Sequence, residues 1–403
     1  VTTTAVEFDP FSDEYFDDPA EVYRRLRDEA PVYFSERYGF YALSRFDDVV
    51  AAHRDWKGFS SAHGVDLSTL SKDPDMIRSL EMIIMMDPPE HDRYRALVSR
   101  VFTPRSIAAL EPMVREVIAG YLDEVAGQDT FDVVQDVSGP FPVEIISRML
   151  GVPAGERQQI RHWLDLTLHR EPGQLDPTDE GQAAMLDMVV YFLDLVAEKR
   201  RNPVDDMLSR LTQVTVDKGD GTETALDDGE IAGFATLIGG AGAETVTKLV
   251  GNAAVVLDQH PEAWARLAAD PTLVPQGIEE LLRLLPPSQY QGRFSVEDRE
   301  LEGGTIPAGH PVLLITGAAT RDPRAFEDPD VFDLDRTPAV AISLGHGVHS
   351  CLGAALARME GRVALEELTS RYERLEVQAD GLRRVRMSNV AGYANVPVTA
   401  TRR

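Results

Sequence analysis

The chain contains a single cysteine, Cys351, among 403 residues. One thiol excludes an internal disulfide framework and any zinc or iron–sulfur site assembled from several cysteines. Long apolar runs are also missing. The longest uncharged apolar stretch, Ile231 to Ala243, is too short and too rich in glycine to span a bilayer. The opening segment VTTTAVEFDP lacks a basic part followed by an apolar one. No Gly/Ser/Pro linker and no internal repeat interrupts the chain, so residues 1–403 read as a single domain. Positive charge is scarce: 40 Lys and Arg stand against 67 Asp and Glu, a formal net charge of −27. That balance argues against nucleic acid or an anionic membrane as a partner. The expectation is a soluble, cytoplasmic protein with no membrane span.

The hydrophobic fraction of 43% and charged fraction of 27% suit a globular protein able to enclose a large core and a cavity. Helical periodicity is evident from Ala20, from Ser106 and from Ala183, and strand-like pieces cluster at 31–43, 289–315 and 382–400. The expected fold is mainly α with small β-sheets. Asp227 and Glu230 form a capping-box pattern opening a proline-free run to about Gln259. Glycines 239, 240 and 242 within it each cost ~1 kcal/mol in a helix, which suggests a ligand against that face. A further helix is expected after Asp87-Pro88-Pro89-Glu90, with Asp87 as its cap. Helices are also expected at 261–269 and 273–285, followed by an irregular stretch from Thr320 to Ser343.

The segment SLGHGVHSCLG, residues 343–353, precedes the helical run AALARMEGRVALEEL. A cysteine at a helix N-terminus lies in the positive field of the helix dipole, which favours the thiolate and suits it to bind a metal. Glycines 345, 347 and 353 let backbone approach a large flat ligand. Taken alone, the same pattern fits a buried structural cysteine on a glycine-bearing turn.

These residues resemble the haem-ligand loop of the cytochrome P-450 superfamily, F-G-x-G-x-H-x-C-x-G. Gly345, Gly347, His349, Cys351 and Gly353 match, while Leu344 stands where phenylalanine is usual. The resemblance implies the mainly α haem-thiolate fold, with haem b held between the central helix and a helix starting at Cys351. It also implies a monooxygenase that inserts one atom of dioxygen into a hydrophobic small molecule, using electrons from a ferredoxin and its reductase. The thiolate would donate electron density to iron and favour O–O cleavage. A peroxide-driven enzyme of the same fold and a non-catalytic haem sensor are the alternatives.

Other elements follow in the family's order. Ala241-Gly242-Ala243-Glu244-Thr245 resembles the oxygen-activation motif, Ala241 and Gly242 lying against the cofactor, with a gap beside Gly242 and Glu244 and Thr245 managing protons. Glu280-Leu-Leu-Arg283 resembles the family's Glu-x-x-Arg, completed by Arg336 into a structural triad. His91, Arg95, Arg293 and His349 are the implied partners of the haem propionates. The substrate pocket is expected to draw on Met82, Ile83, Met85, Leu237, Ile238, Ser288, Gln289 and Tyr393. The redox partner should dock near Cys351, with Arg358 and Arg362 as basic contributors.

Overall fold

The computed structural model describes residues 6–80, 82–99, 102–217, 223–336 and 340–403. Eleven principal helices are labelled here: α1 (Ala20–Glu29), α2 (Phe46–Arg54), α3 (Glu90–Val98), α4 (Glu111–Val125), α5 (Pro140–Leu150), α6 (Arg157–Leu168), α7 (Asp179–Arg201), α8 (Asp228–Gln259), α9 (Pro261–Ala269), α10 (Val274–Leu284) and α11 (Ala354–Arg371). Most ends have a local cause. Thr178 caps α7 by accepting from the Gly181 amide, and Asp227 with Glu230 forms the full capping box of α8. At 1.5 Å per residue, α8 runs about 48 Å, long enough to cross the molecule.

Two expectations need correction. The run from Ser106 is two helices, because the chain turns at residues 109–110 between Pro104–Ala108 and α4. Asp87 is not the cap of α3; its carboxylate accepts instead from Ser60 Oγ at 2.5 Å and the Ser61 amide at 2.9 Å. The helix therefore starts at Glu90 behind Pro89.

The main core lies around α8, which is buried along most of its length against α5, α6, α7 and α11. Beside it stands a five-stranded sheet of order β1-β2-β6-β5-β3, comprising β1 (Val32–Ser35), β2 (Phe40–Leu43), β3 (Phe59–Ser60), β5 (Gln291–Ser295) and β6 (Pro311–Leu314). β6 pairs parallel with β2 and antiparallel with β5, a register that sets Arg293 opposite Val312. A second sheet joins β4 (Thr130–Asp132), β7 (Tyr372–Val377) and β8 (Pro397–Arg402) in the order β7-β8-β4. No helix or strand occurs in the described residues between Thr320 and Ser343, as the Pro- and Asp-rich composition indicates.

Candidate functional site

The cysteine loop is closed by its own backbone, with the Cys351 amide donating to the Leu344 carbonyl at 2.7 Å. Gly347 has φ +70°, and a Cβ there would lie 2.2 Å from the His53 carbonyl at the end of α2. Only glycine lets the loop lie against that helix. Gly345 shares the positive φ, at +71°. Leu344 packs against the main core. The helix after the loop begins at Ala354 and not at Cys351, with Gly353 at its cap position. The Gly353 amide donates to Cys351 Sγ, and Arg95 and Arg358 also favour the thiolate, yet burial is the larger influence and pushes the thiol pKa up. The Gly353 amide and the two arginines thus act against burial at this thiol. Sγ is solvent-accessible and at the same time densely surrounded, as expected of a group lining a recess.

Four cation candidates converge beside this loop. Arg95 on α3 donates from Nη2 to the Ser350 carbonyl at 2.6 Å, next to Cys351. Burial lowers its pKa, with Cys351 acting in the opposite sense. The His91 and His349 rings lie 4.4 Å apart, and Nε2 of each is buried without a hydrogen-bond partner among the described residues. Burial and Arg293 push the pKa of His349 down to about 2. Arg293 on β5 is enclosed, its pKa pushed down to about 10, and its guanidinium donates only to the Gly292 carbonyl at 2.6 Å among the described residues. A guanidinium carries five N–H donors. The nearby carboxylate, Asp87, is already engaged by Ser60 and Ser61. Buried cations without carboxylate partners are costly, and this set fits a flat ligand carrying two carboxylates. His53, which carried no sequence signal, belongs to the same group: it is buried, with its pKa pushed down to about 3 by burial, Arg293 and His346.

On α8 the accessible positions form one stripe, with Phe234, Leu237, Ala241 and Thr245 at helical spacing among buried neighbours. The stripe lies between two brace points. Tyr94 of α3 donates to Glu230 before it, and Leu249 packs on Gly361 of α11 after it. It therefore runs between the contacts of α8 with α3 and with α11. Thr245 Oγ1 donates to the Ala241 carbonyl at 3.0 Å. Glu244, about 100° around the helix, faces away into the protein and pairs with Lys248 at 2.5 Å.

The glycines are corrected. Cβ atoms at 239, 240 and 242 would meet Phe192 at 3.5 Å, Leu164 at 2.9 Å and Ile146 at 3.2 Å. Their small size lets α7, α6 and α5 pack closely, and the missing side chain of Gly242 faces α5, not a gap on the accessible stripe.

Glu280, Arg283 and Arg336 come together. Arg283 forms a fork with Glu280 at 2.7 and 2.8 Å, and Arg336 Nε reaches Glu280 Oε1 at 3.1 Å. The two arginines also donate to carbonyls of Thr320, Pro329, Val331, Glu327 and Asp328, which organises the irregular stretch before the cysteine loop.

The expected pocket residues divide. Leu237 lies on the accessible stripe, and Ile83 lines a small cavity with Tyr94 and Phe234. Met82 is half-buried beside them in sequence, whereas Met85 and Ile238 are buried. Gln289 is not a pocket residue: it accepts from Tyr23 Oη at 2.6 Å and donates to the Pro286 carbonyl at 2.5 Å. Tyr393 is buried in the core beneath the Arg384 guanidinium, and Ser288 Oγ is engaged by Gln291. Arg358 and Arg362 are not free basic contributors, being paired with Glu279 and with Glu111 and Glu366.

The cytochrome P450 family profile matches residues 174–389. A protein of Mycobacterium tuberculosis named as a cytochrome P450 123 is 42% identical over 98% of this chain and 97% of its own. Erythromycin C-12 hydroxylase of Saccharopolyspora erythraea is 38% identical over 93% of this chain and 92% of its own. The structure of a mutant of P450 EryK in complex with erythromycin B superposes with a TM-score of 0.85, at 37% identity over 94% of this chain and 95% of that one. The chain belongs to the cytochrome P450 family. It is a haem-dependent monooxygenase, using haem b bound through an axial cysteine thiolate and dioxygen as co-substrate.

Proposed function

We propose that Cys351 is the axial thiolate, that Arg95 and Arg293 hold the haem propionates with His91 and His349 beside them, and that Thr245 and Glu244 manage protons. When bound, haem supplies the reducible iron at which dioxygen is activated and the substrate oxidised. The chain supplies the setting. The Gly353 amide and the nearby Arg95 and Arg358 temper the charge on Sγ. The guanidinium of Arg293 offers charge-assisted hydrogen bonds from a desolvated position. Thr245 Oγ1 holds a proton on the accessible stripe, parked on the Ala241 carbonyl and available to a new acceptor. Gly345 and Gly353 keep the loop backbone close to the ligand, and Ala241 presents only a methyl group to it.

The substrate is a hydrophobic small molecule entering beside Leu237 and Ala241, with Met82 and Ile83 toward α3. The relative bound to erythromycin B supports a ligand of some size, and a structural neighbour bound to testosterone supports a hydrophobic one. By the family resemblance, electrons come from a separate ferredoxin and its reductase.

The observation that carries this reading is the Arg95–Ser350 contact, which sets a half-buried cation beside the single thiol. Reduced holoprotein treated with carbon monoxide should show the long-wavelength Soret band of thiolate ligation, and Cys351→Ser should abolish it. Retention of that band in the serine variant would overturn the assignment.

A further inference from the structure

The helix α7 carries apolar residues on two faces. Its inner face, with Gly181, Ala184, Met188, Phe192, Leu195 and Val196 buried, packs on α6 and α8. Its outer face presents Ala183, Leu186, Val190, Leu193 and Ala197, spaced alternately three and four residues apart. That is the 3.5-residue repeat of a seam by which one helix meets another. Leu186 is 64% exposed, more than any other large apolar side chain among the described residues, and Val190 is 49% exposed. Ala183 is exposed as well, whereas Leu193 and Ala197 are partly buried. A surface helix ordinarily has one apolar stripe with polar residues opposite it. A second stripe, in register and facing outward, is the mark of an interaction surface.

The ends of the seam indicate the partner. Asp179 stands one turn before Ala183 and Arg201 one turn after Ala197, both exposed and without an ion pair among the described residues. The neighbouring cations are already engaged, Lys199 by Asp206 and Arg200 by Asp228, each at 2.6 Å. Turned end for end, the seam complements itself. Setting Leu186 against Val190 of a second copy brings Ala183 opposite Leu193 and Asp179 opposite Ala197, with Arg201 one turn further on. A parallel arrangement would instead place Asp179 on Asp179 and Arg201 on Arg201. Lipid is a poor occupant, because the polar positions beside the seam are Glu180, Gln182, Asp187 and Asp194, where an interfacial helix carries lysine and arginine.

We propose that the outer face of α7 binds a second copy of this chain, antiparallel about a two-fold axis, with Leu186 and Val190 at its centre and Asp179 and Arg201 at its ends. The two-fold makes every contact occur twice, so a short stripe suffices to associate two copies. From Asp179 to Ala197 the seam runs about 27 Å. So narrow a strip gives a dimer of the weak, reversible class. The formal net charge of −27 on each copy, and the edge acids Asp187 and Asp194, oppose approach, so moderate salt favours the pair.

The test is sedimentation velocity of the haem-loaded protein over a wide concentration range. At about 0.15 M salt the Debye length of ~8 Å screens the net repulsion but not charges in contact, and a monomer–dimer equilibrium should be seen. Leu186→Glu and Val190→Glu should each raise the dissociation constant about tenfold or more. Because both positions are exposed, Tm and the carbon monoxide spectrum should not change. Asp179→Lys and Arg201→Glu should each weaken the dimer, and the two together should restore it, as the antiparallel pairing requires. A wild type that sediments as a monomer at every concentration overturns the proposal. A dimer that persists unchanged in both Leu186→Glu and Val190→Glu overturns it as well, and failure of the double exchange to restore association refutes the antiparallel arrangement. Binding of monomer to phosphatidylcholine vesicles, lost in Leu186→Glu, would assign the face to lipid instead and overturn the pairing of two copies.

Discussion

Arg293 provides a test in which the same substitution should change sign with the ligand. Its guanidinium is enclosed on β5, with the Gly292 carbonyl as its hydrogen-bond acceptor and its pKa pushed down to about 10. The displacement from the usual guanidinium range corresponds to about 3 kcal/mol, at 1.36 kcal/mol per unit. Because the pKa of this base is lowered in the folded state, the cost is fully present below pH 10. It falls away only as pH rises from about 10 toward the unfolded value, so at pH 7 it acts in full. Arg293→Met keeps most of the volume and removes the charge. Haem-free protein should then be as stable as wild type or more stable, by up to about 3 kcal/mol, in urea unfolding followed by far-UV circular dichroism. Haem-loaded protein should respond in the opposite direction, since each lost charge-assisted hydrogen bond costs roughly 1.5–3 kcal/mol of binding. Transfer of haem to an apomyoglobin acceptor, followed by absorbance, measures that loss as a rate increase of about tenfold or more. If the haem-free variant is destabilised by several kcal/mol while haem retention is unchanged, Arg293 is a structural residue and the propionate reasoning is wrong.

The remaining predictions concern the central helix and the triad. Glu280→Gln leaves Arg283 and Arg336 buried without their carboxylate, and removing one partner of such a cluster should cost about 3–5 kcal/mol, read as a lower Tm and reduced haem incorporation; an unchanged Tm would show that the backbone carbonyls suffice. Thr245→Ala should bind haem and substrate normally while reductant is diverted to peroxide or water, product per reductant falling at least tenfold; equal coupling would move the proton path to another group. Gly242→Ala should be nearly neutral in stability and haem content, because the ~1 kcal/mol gain in helix propensity offsets a 3.2 Å contact with Ile146 that can relax. Loss of haem in that variant would restore the view that a ligand requires the glycine.

Local chemistry was readable from the chain. The 3.6-residue period and the Asp227–Glu230 box located α8, since both depend only on neighbours within one or two turns. The lone cysteine in its glycine-framed loop, and the acid–alcohol pair, were legible because their spacing is set by one loop and one helix. Even there the 100° offset of adjacent helical residues sent Glu244 and Thr245 to different faces. Tertiary structure decided what those faces meet. It turned glycines 239, 240 and 242 toward Phe192, Leu164 and Ile146, directed Asp87 to Ser60 and Ser61, and anchored Gln289 on Tyr23. It also buried His53, joined Lys248 to Glu244, and let burial push the Cys351 thiol pKa up. The physical reason is common to all of these. Hydrogen-bond partners, desolvation and close approach depend on residues far apart in sequence, so a motif states which groups are available while packing determines which of them remain unpaired, charged and open to a ligand.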